Sequence, residues 1–592
     1  MIEVGNGAAP FKPPPLAELP PLELLGPDRL ATLADELSWV ALPGGQVLFQ
    51  EGDPADSLYL VTTGVLGVFI TTADHGQQLV AEIHAGETVG EMSMITGESH
   101  SATVVALRHC EFYQMPKVVF DRLIAEEQKF LAWINKLVVQ RLHRTTKRAK
   151  LTRRAAVALI PLDSSVPIEA VACGIVAALK REGITVHRFE PTANEQSIEW
   201  FDELESAHNV VLYQAEPVHL GTNAWGRFCL RQTDRVVLIG TPGTALPDPL
   251  PTNGKTSQAD LVIVESMERG RCGTVPAGAR RFGTIHHLRL HAQGDLARLA
   301  RHLAGRAVGL VLSGGAARGF AHIGAIRAWR EAGLPIDRIG GTSMGAIIAA
   351  GVAAGWDDRE LRTRIHQAFV RTNPLNDYTL PWIALFRGET VNRLLRRHFN
   401  ETDISALWRP FFAVSTNLTR GGVHIHRHGM LWRALRASIA IPGVLPPMLD
   451  DNEVLVDGGV VNNFPVDIMA GLGSGPIIGI NVGGGLALMP GSEVPLNRRG
   501  LMGFLRPNPG PLPGIVSVLS RVGTVSSTLQ TALAQVHLSL LIEPAMADLP
   551  LLDWQGFDRA VEAGYRATRA ALEATDLTAA NIIGAMAQPI GG

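Results

Sequence analysis

The sequence predicts a multidomain protein: an N-terminal β-roll or barrel, a central α/β linker domain and a C-terminal α/β domain. Three observations predict it. The chain has 592 residues, which at about 150 residues per domain gives three or four domains. Between residues 45 and 83, short β-forming runs (45–49, 57–61, 64–71 and 78–83) alternate with turns, the spacing of an all-β roll or barrel. From residue 155 onward, strand-like and helical runs alternate, the pattern of a parallel sheet with crossover helices.

Composition removes several classes of function. Hydrophobic residues make up 46% of the chain, charged residues 18%, and the net charge is −3, so no basic signature for nucleic acid is present. The cysteines, Cys110, Cys173, Cys229 and Cys272, are scattered without a CxxC pair. That argues against a zinc or disulfide framework and suits a reducing compartment. Residues 1–21 lack the basic start and apolar core of a signal peptide, and their proline content predicts a disordered tail. Two charge-free runs, 339–356 and 468–492, approach the length of a membrane span. Glycines interrupt both, and Pro476 and Pro490 the second, so no transmembrane helix is expected. A cytoplasmic location follows, with membrane contact only peripheral.

The β domain is expected over residues 22–142. It opens with a short helix at 28–37. It closes with one over 116–142, on which Val118, Phe120, Leu123, Ile124, Phe130, Trp133, Ile134 and Leu137 recur largely at helical spacings. Inside it, Gly86-Glu87-Thr88-Val89-Gly90-Glu91-Met92-Ser93 and Ser99-His100-Ser101-Ala102-Thr103 resemble the phosphate-binding cassette of cyclic-nucleotide-binding domains. The resemblance implies that Gly90, Glu91, Met92 and Ser93 present backbone N–H groups to a cyclic phosphate. It implies that Glu91 accepts from the ribose, and that His100, followed by Ser101, stands where the family has its phosphate-pairing arginine. Arginine supplies a permanent bidentate charge; histidine supplies a pH-dependent one. Two readings follow: a cyclic nucleotide as effector, or a scaffold of the same fold without a ligand.

Residues 143–154 form a basic linker. Arg141, Arg144, Lys147, Arg148, Lys150, Arg153 and Arg154 read as a solvated helix end or as a contact with anionic lipid headgroups. The central domain, 155–303, has strands near 156–162, 185–189, 209–213 and 235–240 and helices near 168–182, 201–207 and 225–231. After its first strand, Pro161-Leu162-Asp163-Ser164-Ser165 is neither a Walker loop nor a dinucleotide fingerprint. It reads as structural.

The C-terminal domain, 304–592, carries the chemistry. A buried strand ending at Leu312 runs into Ser313-Gly314-Gly315-Ala316-Ala317-Arg318-Gly319 and then a helix. N–H groups on such a loop form an anion cradle, fit for a phosphate or an acyl-transfer oxyanion. Ala316 stands where a dinucleotide loop needs its second glycine, which favours the oxyanion. Next comes Gly341-Thr342-Ser343-Met344-Gly345, with a strand before it and an apolar run, 346–354, after it. This is the strand–turn–helix context of a nucleophile elbow, where Gly341 and Gly345 leave room for the turn. Downstream, Val454-Leu455-Val456-Asp457-Gly458-Gly459 ends a strand in a carboxylate. Asp457 can take the Ser343 proton and later activate water.

These three blocks resemble the patatin-like phospholipase family, and more closely the bacterial members of the neuropathy target esterase group. The core motifs lie in 309–480, and the upstream domain order matches as well. The resemblance implies a Ser343–Asp457 dyad, an oxyanion hole from Gly314, Gly315, Ala316, Ala317, Arg318 and Gly319, and a covalent acyl-enzyme. It implies phospholipid or lysophospholipid substrates met at a membrane surface, with no required cofactor and no metal. Residues 437–443 look like the segment these enzymes carry before the aspartate. The departure is Ala316, which keeps its N–H but resists the positive φ that glycine allows.

Two rivals remain at this stage. One is a regulatory or scaffold protein with little hydrolase activity. The other is a histidine-dependent esterase on small esters. After Asp457 the only histidine is His537, whose apolar neighbours mark it as a core residue. His322 is given no role in proton transfer. His424, His426 and His428 alternate as on a strand without a nearby carboxylate in sequence. Residues 391–399 read as a helix with Arg393, Arg396 and Arg397 on one face. Trp382, Phe386, Trp408 and Trp432 read as core, or as the lining of an acyl pocket. Residues 507–513 form a proline- and glycine-rich loop, 515–540 a long helical or mixed segment, and 558–574 an amphipathic helix.

Overall fold

In a computed structural model, the structure describes residues 15–16, 19, 22, 25–71, 77–127, 130, 133–134, 155–191, 198–217, 224–247, 250, 259–265, 275–380, 382–473, 475–483, 537–546 and 549–575. The expected basic linker, the 507–513 loop, nearly all of 515–540 and Cys272 lie outside these residues. The chain divides into two compact units. The first is Met1–Ser164, Val186–Leu238 and Pro247–Ala259; the second is Ser165–Thr185, Ile239–Leu246 and Asp260–Gly592.

The first unit opens with α1 (Pro27–Ala34) and continues through eight strands: β1 (Ser38–Leu42), β2 (Val47–Phe49), β3 (Ser57–Thr63), β4 (Val65–Thr71), β5 (Gln77–His84), β6 (Thr88–Val89), β7 (Thr103–Ala106) and β8 (Cys110–Pro116). They form two antiparallel four-stranded sheets, β1-β8-β3-β6 and β2-β7-β4-β5. Leu42, Val61, Leu66, Val104 and Phe112 fill a shared core. Helix α2 (Glu91–Thr96) follows β6, and α3 (Lys117–Glu126) follows β8. The single helix expected from 116 is broken at Glu127, which is extended at φ −116°. Phe130 then meets Phe120 edge-on at 6.2 Å. The tail differs from the sequence reading: Leu16 and Leu19 are buried with Leu22 and Leu25. Their N–H and C=O groups link every third residue in successive turns, which presents the four leucines to one core.

The first unit also holds β9 (Ala155–Pro161), β10 (Val186–Phe189), β11 (Val210–Gln214) and most of β12 (Arg235–Gly240), in the order β10-β11-β9-β12. The registers of β10 on β11 and β11 on β9 are parallel, as the strand–helix alternation predicts. In the second unit, β13 (Ala259–Val264, but for its first residue) and β14 (Thr284–Leu288) pair in parallel.

The second unit contains the sheet that positions the chemistry. Its strands are β15 (Gly309–Leu312), β16 (Arg338–Thr342), β17 (Phe411–Asn417), β18 (Val423–His426), β19 (Met448–Asp450), β20 (Glu453–Asp457), β21 (Ile477–Ile480) and β22 (Leu540–Ile542). They run in the order β19-β20-β17-β16-β15-β21-β22, with β18 also on β17. The five strands from β17 to β22 are parallel, while β18, β19 and β20 pair antiparallel. Helix α4 (Ala321–Glu331) follows β15, and α5 (Met344–Ala353) follows β16. Every residue of α5 is buried. The charge-free run at 339–356 is therefore a core strand and helix, and among the described residues no helix is long and apolar enough to cross a membrane. Three further helices matter below: α6 (Glu389–Phe399), α7 (Leu431–Ser438) and α8 (Phe557–Thr575).

Candidate active site

Strand β16 ends at Thr342, and Ser343 turns the chain into α5 with φ 54° and ψ −124°. A non-glycine residue at positive φ stores about 1–3 kcal/mol and persists only where surroundings hold it. Here they do. A Cβ at Gly341 would lie 2.4 Å from the Leu312 carbonyl oxygen, and one at Gly345 would lie 2.5 Å from it. Only glycine lets the turn pack against β15. The Ser343 N–H donates to Ser438 Oγ at 2.9 Å, and that hydroxyl donates to the Val414 carbonyl at 2.6 Å. Thr342 Oγ1 donates to the Asn462 carbonyl at 2.9 Å.

Asp457 closes β20, whose antiparallel register on β17 sets it opposite Ser415. Ser343 Oγ donates to Asp457 Oδ2 at 2.8 Å. The other carboxylate oxygen accepts from the Gly459 N–H at 2.7 Å. Ser343 is 7% exposed and Asp457 6%. Burial pushes the Asp457 carboxyl up to about 6, against the opposing pull of the Gly459 and Ser343 hydrogen bonds. The arrangement is a buried hydroxyl on a carboxylate base that is ionised at neutral pH.

The glycine loop lies against this pair. A Cβ at Gly314 would come 3.2 Å from Ser343 Cβ. Three of its N–H groups are committed elsewhere. Gly314 donates to the Asn463 carbonyl at 3.0 Å, Ala317 to Leu551 at 2.9 Å and Arg318 to Gly315 at 3.0 Å. Gly319 lies inside a short 3-10 turn, Ala316–Phe320. Among the described residues, the N–H groups of Gly315 and Ala316 have no acceptor. Ala316 takes φ 47°, so alanine here adopts the conformation it resists. The Arg318 side chain does not face the dyad as an ion-pair partner; its Nε donates to the Leu549 carbonyl at 2.7 Å.

Beside the elbow opens an apolar pocket. Ile347, one turn along α5 from Ser343, and Ile439, next to Ser438, form one part of its wall. Phe369, Pro374, Val391 and Leu395 form another. The sequence reading missed this pocket, because its residues are scattered along the chain from Ile347 to Ile439. It also missed Ser438, although residues 437–443 were singled out, and Asn463, four residues past Gly459. Asn463 holds the loop twice, accepting from Gly314 N and donating from Nδ2 to the Gly314 carbonyl at 3.2 Å. Of the aromatics read as core or lining, Phe386, Trp408 and Trp432 are buried, but Trp382 is exposed.

The histidines take other places. His537 is exposed, not a core residue, because β22 begins only at Leu540. Among the described residues no imidazole is hydrogen-bonded to Ser343. His322 is buried, bonds the Ser313 carbonyl through Nε2 at 2.9 Å, and is pushed down to about 4 by burial. His426 bonds Ser415 Oγ at 2.7 Å and is pushed down to about 3. His424 on β18 does find a carboxylate, that of Glu453 on β20, at 3.2 Å. Elsewhere Asp260, His286 and His302 bring one ligand-type atom each within 4.8 Å of one another. There the Asp260 carboxylate already meets His302 Nε2 at 3.1 Å.

In the N-terminal cassette, Gly90 takes φ 97° and starts α2. Glu91 is fully buried and accepts from Thr88 Oγ1 at 3.3 Å. His100 stacks flat on Phe49 with ring centroids 3.6 Å apart. Burial lowers its pKa, against the opposing pull of Asp53 and Asp56. A neutral, stacked imidazole does not supply the fixed charge a cyclic phosphate pairs with in an arginine-bearing cassette. Ser93 is buried with its hydroxyl on the Ser99 carbonyl, while Met92 and Ser101 are exposed.

Comparison with known proteins places these features in a wider set. A family profile described as patatin-like phospholipase matches residues 310–470, and one described as cyclic nucleotide-binding domain matches residues 39–127. The chain is 31% identical over 576 residues to an uncharacterized NTE family protein of Mycobacterium tuberculosis, covering 94% of this chain and 96% of that one. It is 28% identical to the lysophospholipase nte1 of Aspergillus terreus, covering 93% of this chain and 43% of that one. It is also 28% identical to the patatin-like phospholipase domain-containing protein 6 of Pongo abelii, covering 90% of this chain and 44% of that one. The chain spans under half the length of those last two.

Proposed function

The chain belongs to the NTE family, and on that premise we propose that it is a lipid ester hydrolase that cleaves acyl esters of phospholipids or lysophospholipids through Ser343 and Asp457. The observation that carries the reading is the 2.8 Å hydrogen bond from Ser343 Oγ to a buried Asp457. Oγ attacks the ester carbonyl while its proton passes to Asp457 Oδ2. The oxyanion is taken by the N–H groups of Gly315 and Ala316, a narrower set than the six loop residues read from the sequence, since N–H groups already bonded within the chain have nothing left to donate. Collapse of the tetrahedral species returns the proton to the leaving alkoxide. Asp457 then deprotonates the water that hydrolyses acyl-Ser343. The acyl chain lies along the apolar wall of Ile347, Ile439, Phe369 and Leu395.

The test is labelling by a fluorophosphonate probe beside turnover of a lysophospholipid. Wild type is labelled and active. Ser343→Ala is unlabelled, and its turnover falls by roughly a thousandfold or more. Asp457→Asn loses labelling rate in parallel. Full activity in Ser343→Ala would remove the assignment.

A regulatory role for the N-terminal domain belongs to the same reading. The neutral His100 favours a docking module over a nucleotide sensor. Calorimetry with cyclic AMP is expected to show no binding to the wild type and measurable binding to His100→Arg, which restores the fixed charge. Tight binding to the wild type would reverse this preference.

A further inference from the structure

Among the described residues, 377–380 and 382–387 form a short hairpin whose apolar tip faces solvent. Tyr378 bridges Phe386 in antiparallel register, Thr379 N donates to the Leu385 carbonyl at 3.0 Å, and Arg387 N donates to Asp377 at 2.9 Å. The tip then carries Leu380, Trp382 and Ile383 at 74%, 89% and 72% exposure, with Tyr378 at 73% just below. Single exposed apolar residues are ordinary, but four within six positions form a patch that marks an interaction site. The base is fixed, not frayed: Ala384 and Phe386 are buried, and Leu385 N and Phe386 N donate to the carbonyls of Gly443 and Val444.

Its position gives the patch a purpose. The hairpin joins two segments that wall the apolar pocket beside Ser343. Phe369 and Pro374 line the pocket just before it; Val391, Leu394 and Leu395 line it just after. The hairpin base is pinned to the stretch that follows Ile439, another wall residue. The stretch of chain on either side carries exposed cations: Arg371 before the hairpin, Arg387 at its base, and Arg393 and Arg397 on the exposed face of α6. None of these four has a carboxylate partner among the described residues. An exposed tip with Trp and Tyr on a pinned base, in a stretch of chain that carries four exposed arginines, has the composition of a membrane-interface anchor, in which aromatics sit at headgroup depth and cations meet lipid phosphates.

We propose that hairpin 377–387 docks the enzyme on an anionic lipid bilayer, with Leu380, Trp382 and Ile383 entering the interface and Arg371, Arg387, Arg393 and Arg397 meeting the phosphates. The inference rests on the lipid hydrolase reading for its purpose, because docking here brings the pocket rim to the acyl chains. A second copy of this chain is the rival occupant, but the four exposed arginines give that copy no opposite charge to meet.

The experiment is sedimentation of the full-length protein with phosphatidylcholine vesicles and with vesicles that also carry phosphatidylglycerol. Size by light scattering, and hydrolysis of a short-chain soluble ester, are measured in parallel. Wild type is expected to bind the anionic vesicles better than the neutral ones. The double variant Leu380→Asp, Trp382→Asp should bind anionic vesicles more than about tenfold less well. Arg393→Gln with Arg397→Gln should lose the anionic preference. Soluble-ester hydrolysis and melting temperature should stay unchanged in both. Unaltered vesicle binding by the tip variant overturns the proposal. So does a wild-type dimer that the tip variant turns into a monomer. Ser343→Ala should bind vesicles as the wild type does, so a failure of the hydrolase reading appears in turnover alone.

Discussion

At the residue scale, Asp457 is pulled two ways. It must be ionised to accept a proton, yet burial raises its pKa from 3.8 to about 6. Activity that depends on the carboxylate is therefore lost as pH falls through about 6. The pH profile of kcat/KM should show one acidic limb there, and a limb near 4 would mean that burial does not raise this carboxyl. Stability runs the other way. Between pH 3.8 and 6 the unfolded chain has released this proton and the folded chain still holds it, so stability falls as pH rises through that window. Above it, the buried charge costs on the order of 3 kcal/mol. Asp457→Asn should then raise the melting temperature at pH 8 by roughly 5 °C, and by less at pH 4.5, while abolishing turnover. Calorimetry at the two pH values checks this. Ser343 and Asp457 are legible as partners because glycines stand beside both, and each glycine string marks a strand end brought close to a neighbour. His537 is misread as core because Leu538 to Leu541 look apolar enough to enclose it.

At the element scale, the elbow is held by residues that no motif names. Ser438 closes α7 and bridges the Ser343 N–H to the Val414 carbonyl on β17. Removing that hydroxyl leaves a buried donor and a buried acceptor unpaired. Ser438→Ala should cost about 2 kcal/mol of stability and lower kcat roughly tenfold, because the strained Ser343 turn loses its tether. Chemical denaturation and single-turnover kinetics would show it, and unchanged values in both would mean that α5 alone holds the turn. The strands were readable because apolar runs of four to seven residues end at glycines or polar turns. The oxyanion loop was readable as a loop, but not in its donors. Which N–H groups remain free depends on carbonyls at Asn463 and Leu551, 149 and 234 residues away in sequence from the N–H groups they accept, and no local pattern reports them.

At the scale of the catalytic unit, the C-terminal helix is part of the site's support. Helix α8 lies against α4 through two glycines. A Cβ at Gly324 would fall 1.8 Å from the Val561 carbonyl oxygen, and one at Gly564 would fall 1.9 Å from that of Ala321. Backbone meets backbone at this crossing, and neither side has a flexible end that could move aside. The segment leading into α8 also accepts from the oxyanion loop, through Leu551 to Ala317 N and through Leu549 to Arg318 Nε. Displacing α8 therefore displaces the acceptors that shape the Gly315–Ala316 turn. In sequence this helix shows only amphipathic spacing, because a glycine that permits close approach looks the same as one that merely lowers helix propensity. Gly564→Val should cost roughly 3 kcal/mol or more through overpacking. In whatever protein remains folded, kcat should fall while KM for a soluble ester holds, since the oxyanion contact is made in the transition state. Ala570→Ser, on the exposed face of the same helix, should change neither. If Gly564→Val lowers stability but leaves kcat intact, α8 supports the fold without shaping the oxyanion loop.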